Sequence, residues 1–267
     1  MSPIAKRLAA LAATTAAAGA LALIPGSSYA ATSSADALSA CPTTSNLCLV
    51  TQTSGGQFTI GSMTIPLTSM QLSGSVDPDP DNAQDNLLGQ AQLQASALQV
   101  PGGLLGVSLI QSLIPGVTDV TATTELAGTP HFSALAALTG TGAALTLPIK
   151  IKLGNVLLGS NCTIGSDANP IVLQLTAGTT APPPPNQPIT GNAGTIGVDG
   201  STIVITGATF DDNSFAVPVA SGCSPLGLQL LDQTVSGIVN AKQGLPSAAG
   251  KNTVVMNADA WLGTSPN

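Results

Sequence analysis

Apolar and polar residues alternate along the segment LTLPIKIKL, which spans residues 145–153. Aliphatic residues occupy every second position, and threonine, proline and lysine lie between them. This period of two is typical of a β-strand with one buried face. Pro148 lacks an N–H for a sheet hydrogen bond, and Lys150 and Lys152 discourage pairing with another strand. The pattern therefore also predicts a position near a sheet edge.

Short segments with similar patterns recur along the chain and are separated by turn-forming residues. The segment QFTIGSMTIPLTSMQLSGSV alternates with two shifts of parity, near which Gly61 and Pro66 predict bulges or bends. Short strands between Gly, Pro, Asn and Asp turns are typical of sandwiches and barrels. The sequence predicts an all-β fold, a β-sandwich or barrel-like domain with one or two short helices. Further strands are expected at residues 171–175, 195–198, 202–206, 215–219 and 253–261.

One segment, residues 223–247, has the period of a helix instead. Ser224 is placed to cap the first turn and Pro225 suits the first helical position, while Gly244 and Pro246 end the pattern. Packing against the sheet is the common role of such an amphipathic helix. Its apolar face comprises Leu231, Val235, Ile238 and Val239.

Two segments allow two interpretations each. The apolar residues 100–117 are interrupted by glycine and proline, which indicates a buried loop or short helix or, alternatively, an exposed contact surface. The proline run APPPPNQP at residues 181–188 is either a stiff linker or a rigid loop within one domain. If Cys162 pairs with Cys223, the bridge closes around this run, and the second interpretation is favoured. Residues 31–267 are then a single β-rich domain with a Pro-rich loop at 181–188.

The first 30 residues have the three-part pattern of a secretory signal peptide. Lys6 and Arg7 precede an apolar run over residues 8–24, and small residues follow at Ser28 and Ala30. We expect cleavage after Ala30 and export of the remaining chain. Retention of the run as a membrane helix is the alternative, which its short, alanine-rich composition disfavours.

Cleavage at this position changes the charge of the chain. Lys6 and Arg7 leave with the signal peptide, so the mature chain has four lysines against thirteen acidic residues, a net charge of −9. The mature chain contains no arginine. Because phosphate backbones are bound by clusters of basic residues, this composition excludes nucleic acid as a partner.

Three segments carry a resemblance to a known group of proteins. They are LGNVLLGSNCTIGSDANPIVLQLTAGTTAPPPPNQPITG, SFAVPVASGC and VNAKQGLPSAAGKNTVVMNA. The chain resembles a family of exported actinobacterial proteins known mostly as hypothetical secreted proteins, most densely from about Leu145 onward. The resemblance implies a secreted, cell-envelope-associated β protein and supports the pairing of Cys162 with Cys223. No activity is known for this family, so no catalytic residues follow from the resemblance.

Export makes disulfides possible, and four cysteines allow three connectivities. Cys41 and Cys48 flank a short turn-forming segment that can close locally. Cys162 and Cys223 each follow small residues beyond an apolar run, where two strand ends can lie side by side. Together with the resemblance, these positions predict the disulfides Cys41–Cys48 and Cys162–Cys223.

His131 is the single histidine of the chain and the first candidate for acid–base catalysis. It follows Gly-Thr-Pro, a context more typical of a turn, and no serine lies in a G-x-S-x-G motif. One histidine and four disulfide-forming cysteines cannot easily supply a tetrahedral zinc site. We therefore predict a protein that is not an enzyme and that binds no cofactor other than, at most, calcium.

The segment DPDPDNAQD carries the sharpest local signal for a ligand. Acidic side chains at alternate positions occur in calcium-binding loops, and an exported protein meets calcium at concentrations that weak sites can bind. The segment departs from an EF-hand because Asn82 occupies the position of the turn glycine and the bidentate glutamate is missing. A solvated acidic turn is the commoner interpretation. The alternative is a calcium site formed by Asp77, Asp79, Asp81 and Asp85.

These observations predict an exported, non-enzymatic protein of the cell envelope or extracellular space that acts by binding or assembly. Its partner is an envelope component or a protein, and oligomers and peripheral membrane contact are left open. The alternative is a membrane-associated or pore-forming envelope protein, which a mean hydropathy of +0.39 supports. A hydrolase such as a paired-carboxylate glycosidase ranks third, because only 2% of residues are aromatic and sugar sites need aromatic platforms.

Overall fold

Backbone hydrogen bonds join fourteen strands of the described chain into one antiparallel sheet in the computed structural model. Three predicted features lie wholly or partly outside the described residues: the signal peptide at 1–30, the apolar segment at 100–117 and the helix start at Pro225. The structure describes residues 32–42, 46–82, 85–100, 119–155, 157–224 and 228–265.

The strands range from two to thirteen residues, and together they confirm the predicted all-β class. Their bounds are β1 Cys48–Ile60, β2 Met63–Leu67, β3 Met70–Pro78, β4 Asn86–Ala95, β5 Leu98–Gln99, β6 Thr121–Leu126, β7 His131–Phe132, β8 Leu145–Gly154, β9 Thr163–Ile164, β10 Ile171–Leu175, β11 Thr195–Asp199, β12 Thr202–Asp212, β13 Ala220–Ser221 and β14 Thr253–Gly263.

The sheet follows one path with several side branches. Neighbouring strands lie in the order β11-β12-β14-β1-β3-β4-β7-β8-β6-β5, and the path does not close on itself. β2 pairs with β1, β10 and β9 pair with β8, and β13 pairs with β9. The long strands β1 and β8 are therefore the two branch points, and β11 and β5 are the ends of the path.

Strand β8 confirms the predicted alternation but not the predicted edge position. Its five aliphatic residues are all buried, and it has strand partners on both sides. Pro148 is tolerated because one neighbour, β7, pairs only as far as Thr146, and the next, β6, begins to pair at Ile149. The missing N–H thus falls in the gap between two neighbouring strands.

The other predicted strands are found with one exception. The prediction for 171–175 coincides with β10, and those for 195–198, 202–206 and 253–261 lie within β11, β12 and β14. The prediction of a strand at 215–219 is wrong. Only Val217 makes an isolated bridge there, to Ser247.

The described residues contain three α-helices, whereas the sequence predicts one or two. They are α1 Ser34–Leu38, α2 Ala134–Thr139 and α3 Asp232–Gln243. α3 follows a short 3-10 turn at Gln229–Leu231 and so begins later than predicted, without a side-chain cap. Its C-terminal end is as predicted, because Gly244 has the left-handed conformation that closes helices.

Two groups of strands face each other across an apolar core. Leu49 of β1 and Met256 of β14 line a small cavity of about 40 Å³ together with Phe132 of β7 and Leu145 of β8. A second, smaller cluster surrounds the buried Trp261. Burial of these apolar side chains away from water is the main stabilising contribution to the fold.

The structure contains two disulfides, Cys41–Cys48 and Cys162–Cys223, the pairs expected from the sequence. The first joins the segment after α1 to the start of β1. The second extends the pairing of β9 with β13, since Cys162 comes immediately before β9 and Cys223 lies two residues beyond Ser221, the last residue of β13. The two strand ends lie side by side, as the predicted bridge requires.

The helices of the described residues are short. None of them is both long enough and apolar enough to cross a membrane.

Candidate functional site

The described residues of the acidic segment, 77–82 and 85, connect the end of β3 with the start of β4 through local hydrogen bonds. The N–H of Asp79 donates to the carbonyl oxygen of Asp85 at 3.3 Å, and the N–H of Asp81 donates to Oδ1 of Asp79 at 2.9 Å. The second bond is an Asx turn, in which a short acidic side chain replaces a backbone carbonyl. Asp77 belongs to β3, where its Oδ2 accepts a hydrogen bond from Ser75 Oγ at 2.8 Å.

The carboxylates of Asp77, Asp79 and Asp85 accept hydrogen bonds from neighbouring residues. Asp85 Oδ2 accepts from Asn82 Nδ2 at 2.8 Å. Calcium requires six to eight converging oxygen ligands. Within the described ranges, no group of three or more His, Cys, Asp or Glu side chains is placed to hold a metal ion. Calcium binding stays a prediction, and the hydrogen bonds favour the acidic-turn interpretation. The residues predicted for it are Asp77, Asp79, Asp81 and Asp85.

His131 lies beside the acidic turn. Its Nδ1 is 3.2 Å from Asp79 Oδ2, and the two side chains are 41% and 7% exposed. The residue belongs to strand β7, not to the turn that its sequence context indicated. A carboxylate that orients an imidazole is one part of a catalytic triad, but a nucleophile must contact the other ring nitrogen. In the part of the chain that the structure describes, no serine or threonine hydroxyl bonds to His131.

An open cleft of about 460 Å³ lies where β4 and β6 diverge. β4 pairs with β7 only at Asn86 and Leu87, and β7 pairs with only the first two residues of β8. β6 pairs with β8 farther along. Leu88 of β4 and Leu126 of β6 line the cleft. The cleft therefore lies between two strands that do not pair with each other within the described residues, and its lining combines apolar and polar side chains.

An ion pair and one unusual backbone conformation also belong to this cleft. Asp167 lines it, and Asp167 Oδ1 lies 2.7 Å from Lys150 Nζ. The hydrogen bond to Asp167 raises the pKa of Lys150 above its ordinary value of 10.5. Gln90, another lining residue, has a backbone φ of 48°, which residues other than glycine rarely adopt. Such conformations are concentrated at binding and catalytic sites.

A layer of buried asparagines lies against the proline run. Asn186, within the run, donates from Nδ2 to the carbonyl oxygens of Asn213 at 2.8 Å and of Asn252 at 2.9 Å. Asn213 donates in turn from Nδ2 to the carbonyl oxygen of Gln187 at 2.7 Å. Asn213 and Asn252 are 2% and 0% exposed. The proline run is therefore hydrogen-bonded to buried residues, and its assignment as a loop within a single domain stays a prediction.

The last two residues of β12, Asp211 and Asp212, carry buried carboxyl groups. Asp212 is satisfied, because its Oδ2 accepts from the N–H of Gln174 at 2.7 Å and its Oδ1 accepts from the hydroxyl of Ser214 at 2.6 Å. Asp211 differs, since its Oδ1 has no hydrogen-bond partner among the described residues. Burial penalises the charged form of this carboxyl and raises the pKa of Asp211.

Strands β11 and β12 form a hairpin with exposed apolar side chains. Gly200, which has a φ of 60°, and Ser201 make its two-residue turn, and glycine suits this first turn position. Every residue of β11 is exposed. Val198 lies opposite Ile203 in the register, and Ile196 shares their face. These three side chains, 74%, 41% and 47% exposed respectively, are called the hairpin patch below.

The chain matches no protein-family model, no curated protein and no solved structure. Membership of an exported actinobacterial family stays a prediction.

The structure brings some predicted site residues together and separates others. Hydrogen bonds bring Asp79, Asp81, Asp85 and His131 together at the turn, whereas Asp77, near the end of β3, bonds to Ser75 instead. The hairpin patch is not predicted from the sequence, although both of its strands are. Alternation shows which residues share a face of a strand, but it does not show whether another layer covers that face.

Proposed function

We propose that the protein is exported and acts by non-enzymatic binding or assembly at the cell envelope or in the extracellular space, with the hairpin patch as its contact surface. The observation that carries this proposal is the exposure of Ile196, Val198 and Ile203 on one face of paired strands. Single exposed apolar residues are ordinary, but neighbouring ones form a patch of the kind that partners cover. Covering them removes apolar surface from water, which favours association.

Export is supported by two independent features. Residues 1–30 have the order of charged, apolar and small residues that directs secretion. Four cysteines form two disulfides, which persist in oxidising compartments and are rare in the cytosol. The resemblance to exported actinobacterial proteins agrees with both features and adds the cell envelope as the place of action.

Processing and location test the first half of the proposal. The intact mass of the exported protein is expected to correspond to a chain that begins at Ala31. Cells separated into cytoplasm, membrane, wall and medium are expected to hold the processed protein in the wall and the medium. An unprocessed chain that starts at Met1 and stays in the cytoplasm contradicts export.

Retention at the envelope tests the second half. The double variant Ile196→Ser, Val198→Ser removes most of the hairpin patch from an exposed strand, so the fold is expected to remain intact. We expect this variant to shift from the wall to the medium. The matched control is Val172→Ser, which changes another exposed strand valine, 40% exposed, on β10. Equal retention of both variants and the wild type contradicts the hairpin patch as the contact surface.

A second candidate function, peripheral membrane contact, is favoured by exposed aliphatic residues around α3. Leu228 and Leu230 precede the helix and are 53% and 93% exposed, and Ile238 within it is 46% exposed. Large aliphatic side chains can insert at the boundary of a lipid headgroup layer. Sedimentation with vesicles of phosphatidylethanolamine and phosphatidylglycerol tests this role. Binding that Leu230→Ser weakens supports it, and equal absence of binding by both proteins contradicts it.

A further inference from the structure

Among the described residues, no strand pairs with the outer edge of β11, and this edge presents the backbone groups of two residues. In an antiparallel ladder, pairs that exchange both hydrogen bonds alternate with pairs that exchange none. The two-residue turn makes Asp199 and Thr202 an exchanging pair, so every second residue counted back from Asp199 also bonds to β12. Ile196 and Val198 lie between these residues. Their N–H and C=O groups therefore point away from β12.

We propose that two copies of the chain pair through β11, antiparallel, about a twofold axis at Gly197. The proposal rests on the proposed function, because it names a second copy as the partner of the hairpin. With Gly197 on the axis, Ile196 lies opposite Val198 of the second copy, and symmetry repeats this pair. Each pair exchanges both hydrogen bonds, so all outward N–H and C=O groups of Ile196 and Val198 in both copies find partners.

The same register matches the side chains. Each pair across the axis joins an isoleucine to a valine, a favourable cross-strand combination. Thr195 lies opposite Asp199 of the second copy, so no two carboxylates are directly opposed. The two Asp199 side chains are about 14 Å apart, beyond the screening length at physiological salt. The register therefore leaves the two Asp199 carboxylates too far apart to repel each other strongly.

Gly197 suits the position on the axis. It meets its own copy in a pair that exchanges no hydrogen bonds, where the two backbones approach most closely. Side chains stand roughly perpendicular to the sheet, so this spacing accommodates the glycine and also a cysteine introduced as a probe. The pairing also extends the hairpin patch, because Val198 and Ile203 of one copy continue into Ile196 of the second copy on the same face.

β11 lacks the features by which edge strands usually avoid pairing. It contains neither lysine nor proline, and its register with β12 runs from Thr195 to Asp199 without a bulge. The other end of the sheet path, β5, has only two residues. Because β11 is five residues long, its contact is smaller than that of a permanent dimer. We therefore expect reversible, concentration-dependent association.

Cysteine substitution tests the register. A Cβ at Gly197 has no heavy atom within 4 Å, so Gly197→Cys fits the single chain. In the proposed dimer the two Cα atoms at 197 are about 4.5 Å apart, within the range of a disulfide. The control is Thr195→Cys, an exposed residue on the same face, whose two copies are about 14 Å apart. Gly197→Cys is expected to crosslink about tenfold faster under mild oxidation than Thr195→Cys.

Sedimentation of the purified protein, with both disulfides intact, tests the hydrogen bonds. The weight-average mass of the wild type is expected to rise with concentration toward that of a dimer. Val198→Pro removes an N–H that points away from β12, so it leaves the hairpin bonds in place and removes one bond from each of the two Ile196–Val198 pairs of the proposed dimer. This variant is expected to remain monomeric at every concentration.

The outcomes separate this inference from the proposed function. Equal crosslinking of Gly197→Cys and Thr195→Cys, or a wild type that stays monomeric, overturns self-pairing. If Ile196→Ser, Val198→Ser still reduces envelope retention, the hairpin patch keeps its proposed function with another partner. If crosslinking and sedimentation are as expected but retention does not change, the pairing is supported and the envelope contact of the patch is contradicted.

Discussion

Asn186 Nδ2 donates a hydrogen bond to the carbonyl oxygen of Asn252 at 2.9 Å, which joins the proline run to the residue just before β14. Asn252 is itself fully buried, and its side chain makes further bonds on its other side. Its Nδ2 donates to the carbonyl oxygens of Phe215 at 2.9 Å and Ala248 at 3.1 Å, and its Oδ1 accepts from the N–H of Gly61 at 3.0 Å. One asparagine thus links four segments of the chain.

Removal of this side chain is therefore expected to be costly. Asn252→Ala leaves buried carbonyl and N–H groups without partners, and each such group costs about 1–3 kcal/mol. We expect the free energy of unfolding to fall by about 3 kcal/mol, measured by urea denaturation. Asn257→Ala is the matched control, because Asn257 is exposed on β14, the strand that begins directly after Asn252. Equal effects of the two substitutions contradict a central role for Asn252.

The unpartnered carboxyl of Asp211 gives a prediction about pH. Burial raises its pKa, so over a range that begins near 3.8 the folded chain keeps a proton that the unfolded chain has lost. The contribution of Asp211 to the free energy of unfolding therefore decreases as the pH rises through that range. Asp211→Asn removes the charge and is expected to raise the free energy of unfolding by about 1 kcal/mol at pH 7, and by less in acid.

Urea denaturation of Asp211→Asn and the wild type from acid to neutral pH measures this difference. Asp199→Asn, on the exposed strand β11, controls for the removal of one negative charge from an acidic chain. A difference between Asp211→Asn and the wild type that shrinks as the pH rises is opposite to the expectation. Such a result means that the carboxylate of Asp211 is stabilised in the folded chain.

The strand pattern was the most informative part of the sequence because burial on one face imposes a period of two. The alternation at residues 145–153 predicts the buried face of β8 correctly. Proline and lysine within that segment suggested an edge, but Pro148 lies at a gap between β6 and β7. A single strand pattern contains no information about where its neighbours begin and end.

The buried polar residues were harder to predict, since local sequence gives them the appearance of a turn. The segment DDNS at residues 211–214 lies between two phenylalanines and reads as a solvent-exposed connection. In the structure Asp212 and Asn213 bond to residues distant in sequence, Gln174 and Gln187. Such long-range partners, and the exposure of the hairpin patch, depend on tertiary packing and leave no periodic signal.

The two disulfides are expected to contribute unequally to stability. Cys162 and Cys223 are 61 residues apart, and Cys41 and Cys48 are seven apart. A longer loop loses more conformational freedom in the unfolded chain when it is closed. We expect Cys162→Ala, Cys223→Ala to lower the free energy of unfolding by about 4 kcal/mol and Cys41→Ala, Cys48→Ala by about 2 kcal/mol. Urea denaturation of both double variants measures this order, and the reverse order contradicts it.

The acidic turn leads to a prediction about calcium. Both oxygens of Asp79 have partners in the fold, since Oδ1 accepts from the N–H of Asp81 and Oδ2 faces His131 Nδ1. Binding of a cation at these atoms competes with both contacts. We therefore expect equal melting temperatures in about 1 mM calcium and in chelator, although weak extracellular sites are occupied at this concentration.

The variant Asp79→Asn distinguishes the two interpretations of this turn. Its amide oxygen can still accept from the N–H of Asp81, but the charge beside His131 is removed. If the segment is only a turn, the variant lowers the melting temperature by the same small amount with and without calcium, because the partly exposed contact with His131 contributes up to about 1 kcal/mol. A rise in melting temperature with calcium that is present in the wild type and absent from Asp79→Asn establishes the calcium site instead.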